Sequence, residues 1–412
     1  MRFIESVRAK NVLSFGDPGL SLELRDLNII IGPNSSGKSN LVSLLALLQA
    51  APLDVTRPVS GGGGIHEWLW KGGKDFPSGE IEVVLNKEDG GMPLRYGFSF
   101  REEGQRFMLF DERLENRDPE HLGQSDVRFY YRLDGGRPTF SIVATEEEES
   151  HMAPGRPGSQ KWGPLKKRLL RREEVQPNQS VLAQRRGPEQ YPEITYVAES
   201  FAKIKIYQDW QFNRFSAVRL PQGTDLPNDY LLEDASNLAL VLDDVKFSGL
   251  GAELRRYLEL ANPNFRTPVT RTVGGSIQLF IEESDLKTPT PATRLSQGAL
   301  QLLCLLVVLL HPRPPKLVCI EEPEKGLHPD ILPELAKLLV TASERMQLIV
   351  TTHSEILIDA LTAEPESVLV CEKHKGQTVL KRLMASELEV WLKNYGSLGP
   401  LWRAGTIGGN RW

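Results

Sequence analysis

The stretch of sequence that decides the fold is Gly32-Pro33-Asn34-Ser35-Ser36-Gly37-Lys38-Ser39, which has the pattern G-x-x-x-x-G-K-[ST]. The apolar run 27–31 before it predicts a buried strand, and the apolar segment 40–48 after it predicts a packed helix. Glycines in a strand–loop–helix junction let consecutive backbone N–H groups turn inward around phosphate oxygens. The sequence therefore predicts a phosphate-binding loop in an α/β fold.

The residue types in this loop predict ATP and Mg²⁺ as cofactors. Lys38 is expected to reach the β- and γ-phosphates, and the Ser39 hydroxyl is expected to ligate Mg²⁺. The helix that begins near Lys38 also directs its positive N-terminal end at the phosphates. The predicted nucleotide contacts in this region are Gly32, Pro33, Asn34, Ser35, Ser36, Gly37, Lys38, Ser39 and Asn40.

Two adjacent acidic residues, Glu321 and Glu322, follow a second apolar strand, 316–320. Open α/β sheets gather their ligand-contacting groups at the carboxyl ends of their strands. We predict that Glu321 holds Mg²⁺ and that Glu322 orients and deprotonates the attacking water. Paired glutamates after a strand are more often a solvated turn, and the upstream loop is what favours the catalytic interpretation.

Two further signals lie near these glutamates. Ser296 and Gly298 precede the apolar helix 299–310, where a hydroxyl and free N–H groups suit a phosphate, although an ordinary helix cap has the same pattern. His353 ends the next apolar strand, 347–351, where a γ-phosphate sensor would lie. A lone histidine there is usually structural.

Taken in order, these signals resemble the ABC-type ATPase heads of the RecF, SMC and OLD group. The resemblance covers residues 1–60 and 230–375, and it implies a P-loop NTPase of the ABC type, with a mixed sheet, an antiparallel β subdomain and a helical or polar insert. The matching segments are Val7–Phe15 (first strand, near the base), Gly32–Ser39 (Walker A), Leu295–Gly298 (signature), Glu321-Glu322 (end of Walker B), Glu324–Pro329 (D-loop position) and His353 (switch histidine).

The chain also departs from the transporter pattern. Gln297 replaces the second signature glycine, Ala299 replaces a glutamine, and Glu321 replaces the commoner Walker B aspartate, as is usual in the RecF/OLD-like branch. The segment after His353 is too short for the nuclease (TOPRIM) domain of OLD proteins, and 368–371 is expected to be a last sheet strand. The Q-loop glutamine stays open among Gln160, Gln176, Gln184, Gln208 and Gln211.

Composition divides the chain into three parts. We predict that residues 1–145 form the N-terminal half of the head and 191–412 the C-terminal half. Between them, 146–190 is predicted to be a polar, locally basic insert. Its part 161–190 holds eight basic against three acidic residues, a net charge of +5, namely Lys161, Lys166, Lys167, Arg168, Arg171, Arg172, Arg185 and Arg186 against Glu173, Glu174 and Glu189.

Overall composition excludes several classes of protein. Of the 412 residues, 40% are hydrophobic and 25% charged, which argues against global disorder. The net charge of −5 argues against a chain coated in basic charge. The longest apolar run, 302–310, is far shorter than the roughly 20 residues of a membrane span, so we expect a cytoplasmic protein without membrane insertion. Cys304, Cys319 and Cys371 are expected to be buried, reduced thiols.

The resemblance implies an ATP-dependent homodimer or higher oligomer in which each ATP is completed by the partner's signature motif. Our first hypothesis is an ATPase that drives a DNA-linked or phage-defence process through a separately encoded nuclease or toxin. The basic segment leaves nucleic acid open as a partner. The alternatives are the nucleotide-binding subunit of an ABC transporter and a nucleotide-gated scaffold with little turnover.

Overall fold

The computed structural model describes residues 2–73, 78–120, 127–134, 137–143, 165–169, 175–208 and 210–408. In chain order, the strands are β1 (Ile4–Lys10), β2 (Leu20–Glu23), β3 (Leu27–Ile31), β4 (Gly79–Leu85), β5 (Leu94–Glu103), β6 (Arg106–Asn116), β7 (Phe129–Asp134), β8 (Arg137–Val143), β9 (Leu165–Leu169), β10 (Lys205–Tyr207), β11 (Gln222–Gly223), β12 (Phe265–Val273), β13 (Ser276–Glu283), β14 (Thr290–Pro291), β15 (Leu317–Glu321), β16 (Gln347–Thr352), β17 (Val368–His374) and β18 (Gln377–Arg382).

The helices are α1 (Lys38–Ala50), α2 (Thr56–Gly61), α3 (Ile65–Trp68), α4 (Val181–Gln184), α5 (Pro192–Ala202), α6 (Leu238–Val245), α7 (Gly251–Ala261), α8 (Gln297–Leu309), α9 (Leu332–Ser343), α10 (Glu355–Asp359), α11 (Ala385–Tyr395) and α12 (Leu398–Arg403). The sequence predicts one helix over 237–260, but the structure has α6 and α7 with a π-helical turn between them. Gly249 in that turn has φ 88°, a left-handed conformation that interrupts a regular helix.

The loop of residues 32–37 belongs to a mixed sheet whose strand order, within the described residues, is β10-β15-β16-β3-β17-β18. The first five strands are parallel, and β18 runs antiparallel to β17. The prediction that 368–371 forms a strand of this sheet is confirmed, but the prediction that it is the last strand is wrong. The hairpin turn at Lys375 and Gly376, both with positive φ, returns the chain as one more edge strand.

This sheet is covered on both faces, which explains its continuous apolar runs. In β3, Ile29 and Ile31 pack in one apolar cluster with α8 and α9, whereas Ile30 packs in the other with α1. The alternation follows from the two-residue period of a strand. Helices on both faces leave the carboxyl edge of the sheet as the place where polar side chains meet.

The second sheet is antiparallel, with the order β2-β1-β4-β5-β6-β7-β8-β9 in the described part of the chain. It confirms the antiparallel β subdomain that the resemblance implies. The described residues of the predicted insert 146–190 contact this antiparallel sheet and the helix α1. Residues 165–169 pair with β8, and Val181 and Leu182 are buried in the cluster that includes α1. The boundaries of the three parts stay a prediction.

A smaller sheet, β11-β13-β12 with β14 against β13, lies on the side of the signature helix α8. Gln347 ties the two large sheets together, because its side chain accepts a hydrogen bond from Ile4 N (2.8 Å) and donates one to Ile4 O (2.8 Å). Cys304, Cys319 and Cys371 are buried and free, as predicted. None of the helices in the described ranges is long and apolar enough to cross a membrane.

Candidate functional site

The P-loop, residues 32–39, needs glycine at two positions. Gly37 has φ 105°, and a Cβ there would lie 2.0 Å from Thr378 Oγ1. A Cβ on Gly32 would lie 2.3 Å from the carbonyl oxygen of Cys371. Both glycines are therefore required by the close approach of the β17–β18 hairpin, which packs against the back of the loop.

Lys38 lies folded into the loop. Its side chain is only 6% exposed, and Nζ donates hydrogen bonds to the carbonyl oxygens of Gly32 (2.9 Å) and Pro33 (3.1 Å). Burial lowers the pKa of the Lys38 ammonium group, and the negative charges of Glu322 and Glu321 act in the opposite direction. The Lys38 ammonium group is thus close enough to interact electrostatically with Glu321 and Glu322, and the carbonyl oxygens of the loop hold it in place.

The structure brings Glu321 and Glu322 to the carboxyl edge of the mixed sheet. Glu321 is the last residue of β15 and pairs in register with Thr351 of β16. Glu322 has φ 45°, and its N–H donates to the Thr351 carbonyl oxygen (2.9 Å). This left-handed residue turns the chain directly after the end of β15.

Glu322 and His353, which are both predicted site residues, lie in contact. His353 Nε2 is 3.3 Å from Glu322 Oε1, and Lys325 Nζ is 3.0 Å from Glu322 Oε2. The side chains of Glu322 and His353 are 28% and 33% exposed, so water can reach both. A partly exposed carboxylate beside an imidazole is an arrangement suited to accepting a proton from water.

Glu324 is a residue whose role the sequence analysis did not identify, beyond its place in the Glu324–Pro329 segment. Its Oε1 accepts hydrogen bonds from Thr352 Oγ1 (2.7 Å), His353 N (2.8 Å) and Ser354 N (3.2 Å). One carboxylate thereby holds the backbone on both sides of His353. The sequence shows an acidic residue at position 324, but only the pairing of β15 with β16 shows that its carboxylate bonds to residues 352–354.

The signature segment lies apart from the P-loop. Ser296 is exposed and caps α8, with its Oγ accepting from Ala299 N (3.1 Å). A Cβ on Gly298 would lie 2.4 Å from the carbonyl oxygen of Gly326, so the helix start packs against the Glu324–Pro329 segment. Among the described residues, no hydrogen bond joins Ser296 or Gly298 to the P-loop of the same chain.

The sheet order discriminates among the candidate Q-loop glutamines. Gln208 directly follows β10, the neighbour of β15, at the same carboxyl edge as Glu321. Gln176 and Gln184 instead bond to each other beside the antiparallel sheet, with Gln176 N donating to Gln184 Oε1 (2.7 Å). Gln211 lies farther from the strand end, and Gln160 lies outside the described residues. The geometry favours Gln208.

The basic segment is only partly described. Lys161, Arg171 and Arg172 lie outside the described residues, and Lys166, Lys167 and Arg168 form part of the backbone of β9. Arg186 is turned toward the protein, because it donates to the carbonyl oxygens of Leu182 and Pro52. A phosphate-binding role for this segment stays a prediction.

Solved structures of SMC heads share this fold. Similar chains are a SmcHead bound to the C-winged helix domain of ScpA (TM-score 0.55, 14% identity, 93% of this chain and 99% of that one) and a Pyrococcus furiosus Smc head with an extended coiled coil bound to the C-terminal domain of ScpA (0.56, 14%, 96% and 99%). A Smc head with a coiled coil and joint from Pyrococcus yayanosii is also similar (0.54, 9%, 96% and 99%). No curated protein matches the chain in sequence.

Family membership follows from the sequence itself. The family described as "AAA domain, putative AbiEii toxin, Type IV TA system" matches residues 27–359. This range begins at β3, before the P-loop, and ends with α10, so it contains all four predicted motifs. The chain belongs to this AAA family, and it is an ATPase with an ABC/SMC-type head fold.

Proposed function

We propose that ATP is bound at the P-loop and hydrolysed at the carboxyl edge of the mixed sheet, with Glu322 as the general base. The observation that carries the proposal is the contact of Glu322 with His353, within electrostatic reach of Lys38. Lys38 neutralises phosphate charge, and His353 contacts the γ-phosphate. Catalysis is then mostly positioning and charge neutralisation, as in other phosphoryl transfers. A water-accessible base favours turnover over a scaffold that only binds nucleotide.

The donor atoms at this edge suit Mg²⁺. Ser39 is exposed at the start of α1 and offers a hydroxyl oxygen, and Glu321 offers a carboxylate at the end of β15. Mg²⁺ prefers such hard oxygen ligands and usually binds through one or two protein groups together with phosphates and water. When bound, Mg²⁺ would neutralise negative charge on the phosphate oxygens. Gln208 lies at the same edge and is the glutamine we assign to the Q-loop.

We further propose that the active form is an ATP-linked dimer in which each site draws on two chains. The start of α8 supports this proposal. Ser296 is exposed there, and the free N–H groups at the N-terminus of α8 suit an anion. Among the described residues, no hydrogen bond joins Ser296 to the P-loop of its own chain. A second copy related by two-fold symmetry would place Ser296 and Gly298 against the nucleotide of the first.

The process driven by this ATPase is proposed to be DNA-linked or part of phage defence, acting through a separately encoded effector. The family description names a toxin and a type IV TA system, which supports a toxin or nuclease as the effector. Two of the similar heads are bound to a domain of a separate protein, ScpA, which supports control through a partner chain. Neither finding supports the transporter alternative.

A mixing experiment tests the composite site. Lys38→Ala and Ser296→Arg should each be inactive alone, but a mixed dimer contains one intact site, with Lys38 from one chain and Ser296 from the other. Random pairing at equal concentrations should restore up to about a quarter of the wild-type ATPase rate. This value requires that the mixed dimer closes although one of its two interfaces carries the Ser296→Arg substitution, and that one intact site can turn over. The control replaces the second protein by the double variant Lys38→Ala/Ser296→Arg, which leaves no intact site. Full activity of Ser296→Arg alone would refute the two-chain site.

A further inference from the structure

A chain of side-chain hydrogen bonds holds the back of the P-loop and joins three segments of the protein. Thr378 of β18 is 5% exposed, and its Oγ1 donates to the carbonyl oxygen of Ser36 (2.6 Å). Ser14, in the segment between β1 and β2, lies 2.6 Å from Thr378 Oγ1. Asn40 of α1 donates from Nδ2 to Ser14 Oγ (2.6 Å). The segment between β1 and β2, the helix α1 and the β17–β18 hairpin thus meet behind the P-loop.

The chemistry of the groups determines the direction of each proton in this chain. A carbonyl oxygen only accepts and an amide nitrogen only donates, so Thr378 must give its hydroxyl proton to Ser36 and Asn40 must donate to Ser14. Ser14 therefore donates to Thr378. Each hydroxyl has both a donor and an acceptor partner, and the hydrogen bonds of such a continuous, partly buried chain strengthen one another cooperatively.

The orientation of the Ser36 carbonyl determines the orientation of the next amide. In a trans peptide, the C=O and the following N–H point in opposite directions. Because Thr378 and, more weakly, the Cys371 thiol (Sγ to O, 3.5 Å) hold the Ser36 carbonyl toward the hairpin, the Gly37 N–H points away from it. Within the described part of the chain, no group accepts a hydrogen bond from Gly37 N.

We propose that Thr378 is a positioning residue for phosphate binding, which holds the Ser36–Gly37 peptide so that the Gly37 N–H faces the nucleotide phosphates. The inference rests on the proposed use of the P-loop as the nucleotide site. The side of Gly37 that faces the hairpin has no spare room, since a Cβ there would lie 2.0 Å from Thr378 Oγ1. Thr378 is the stronger of the two side-chain donors to the Ser36 carbonyl oxygen, because the Cys371 thiol is a weak donor.

Two pairs of variants isolate the hydroxyl. Thr378→Val keeps the shape of the side chain and removes only the hydroxyl group. Thr378→Ser and Thr378→Ala both lose the methyl group and differ from each other by the hydroxyl. The ATP dissociation constant is measured with a fluorescent ATP analogue, and KM and kcat are measured from steady-state hydrolysis.

We expect Thr378→Val to raise both the dissociation constant and KM for ATP by about tenfold, the effect of one lost hydrogen bond. The expected change in kcat is smaller, because Glu322 and His353 are not bonded to the chain of hydroxyls. Thr378→Ser should bind ATP within about twofold of wild type, and Thr378→Ala should be as weak as Thr378→Val. A purely structural role would instead make affinity follow thermal stability across the series.

Thr362→Val is the matched control, because Thr362 Oγ1 also donates to a backbone carbonyl at 2.6 Å, that of Asp359. It should lower the melting temperature without changing ATP affinity. Equal ATP affinity of Thr378→Ser and Thr378→Ala would overturn the proposal, and this pair decides the question even if Thr378→Val does not fold. If Lys38→Ala also binds ATP normally, the P-loop assignment itself fails. If only Lys38→Ala loses binding, the role of Thr378 alone is refuted.

Discussion

Replacing Glu322 by Gln tests the assignment of the general base. The variant keeps the size of the side chain but loses the negative charge 3.3 Å from His353 Nε2 and 3.0 Å from Lys325 Nζ. The Lys325 side chain is 57% exposed, and ion pairs of this kind contribute roughly 0–1 kcal/mol to stability. A domain with a stability of about 5–15 kcal/mol should therefore remain folded.

The effect on turnover should be much larger than the effect on stability. An amide cannot accept the proton of the attacking water, and general-base catalysis contributes roughly 10²- to 10⁴-fold to a rate. This corresponds to about 2.7–5.4 kcal/mol of activation free energy. ATP affinity should stay close to wild type, because Lys38 and the P-loop N–H groups are unchanged.

The assay combines phosphate release, titration with a fluorescent ATP analogue and light scattering. With hydrolysis blocked, ATP should hold the closed dimer together, so Glu322→Gln should be larger in ATP than in ADP. Ser296→Arg added to this variant should prevent closure, because it places a bulky cation in the proposed interface. Glu334→Gln is a matched control: Glu334 forms a similar i,i+3 pair with Lys337 (2.6 Å) and is 26% exposed.

Three results would refute this reasoning. A Glu322→Gln rate within tenfold of wild type would exclude Glu322 as the base. An equal loss of rate in Glu334→Gln would show that removing a surface carboxylate, and not this position, causes the effect. Rapid hydrolysis by a strictly monomeric Glu322→Gln protein would contradict both the base assignment and the two-chain site.

Three further outcomes are expected. Lys38→Ala should abolish ATP binding, measured by titration with a fluorescent analogue, because it removes the loop cation that faces the phosphates. Burial raises the pKa of Glu112 to about 7 from 4.5, so its stabilising contribution is full below pH 4.5 and is lost as the pH rises through 7. Urea unfolding should thus show a lower wild-type midpoint at pH 8 than at pH 5, and a smaller difference in Glu112→Gln. If residues 161–190 contact nucleic acid, replacing five basic residues by serine should weaken DNA binding and reduce its salt dependence. The residues to replace are Lys166, Lys167, Arg168, Arg171 and Arg172. Unchanged DNA affinity and an unchanged salt slope would exclude the contact.

Much of the mixed sheet could be predicted from local pattern. The apolar run before Gly32 and the runs before Glu321 and His353 are β3, β15 and β16 with boundaries within one residue. Buried parallel strands leave this signal because both faces are covered. The pattern failed where a single backbone conformation decided the outcome, as at Gly249 between α6 and α7 and at the turn before β18.

The sequence by itself predicted which residues carry the chemistry, because the P-loop, the acidic pair and the proposed switch histidine are local signals of residue type and spacing. Only the tertiary structure decided which of them touch. The contact of Glu322 with His353, the place of Gln208 after β10 and the bond from Thr378 to Ser36 all follow from strand order. Residue periodicity records which face of a strand is buried, but it does not record the neighbour with which that strand pairs. Contacts between residues as distant as Ser36 and Thr378 arise only when the backbone hydrogen bonds of the sheet bring those segments together.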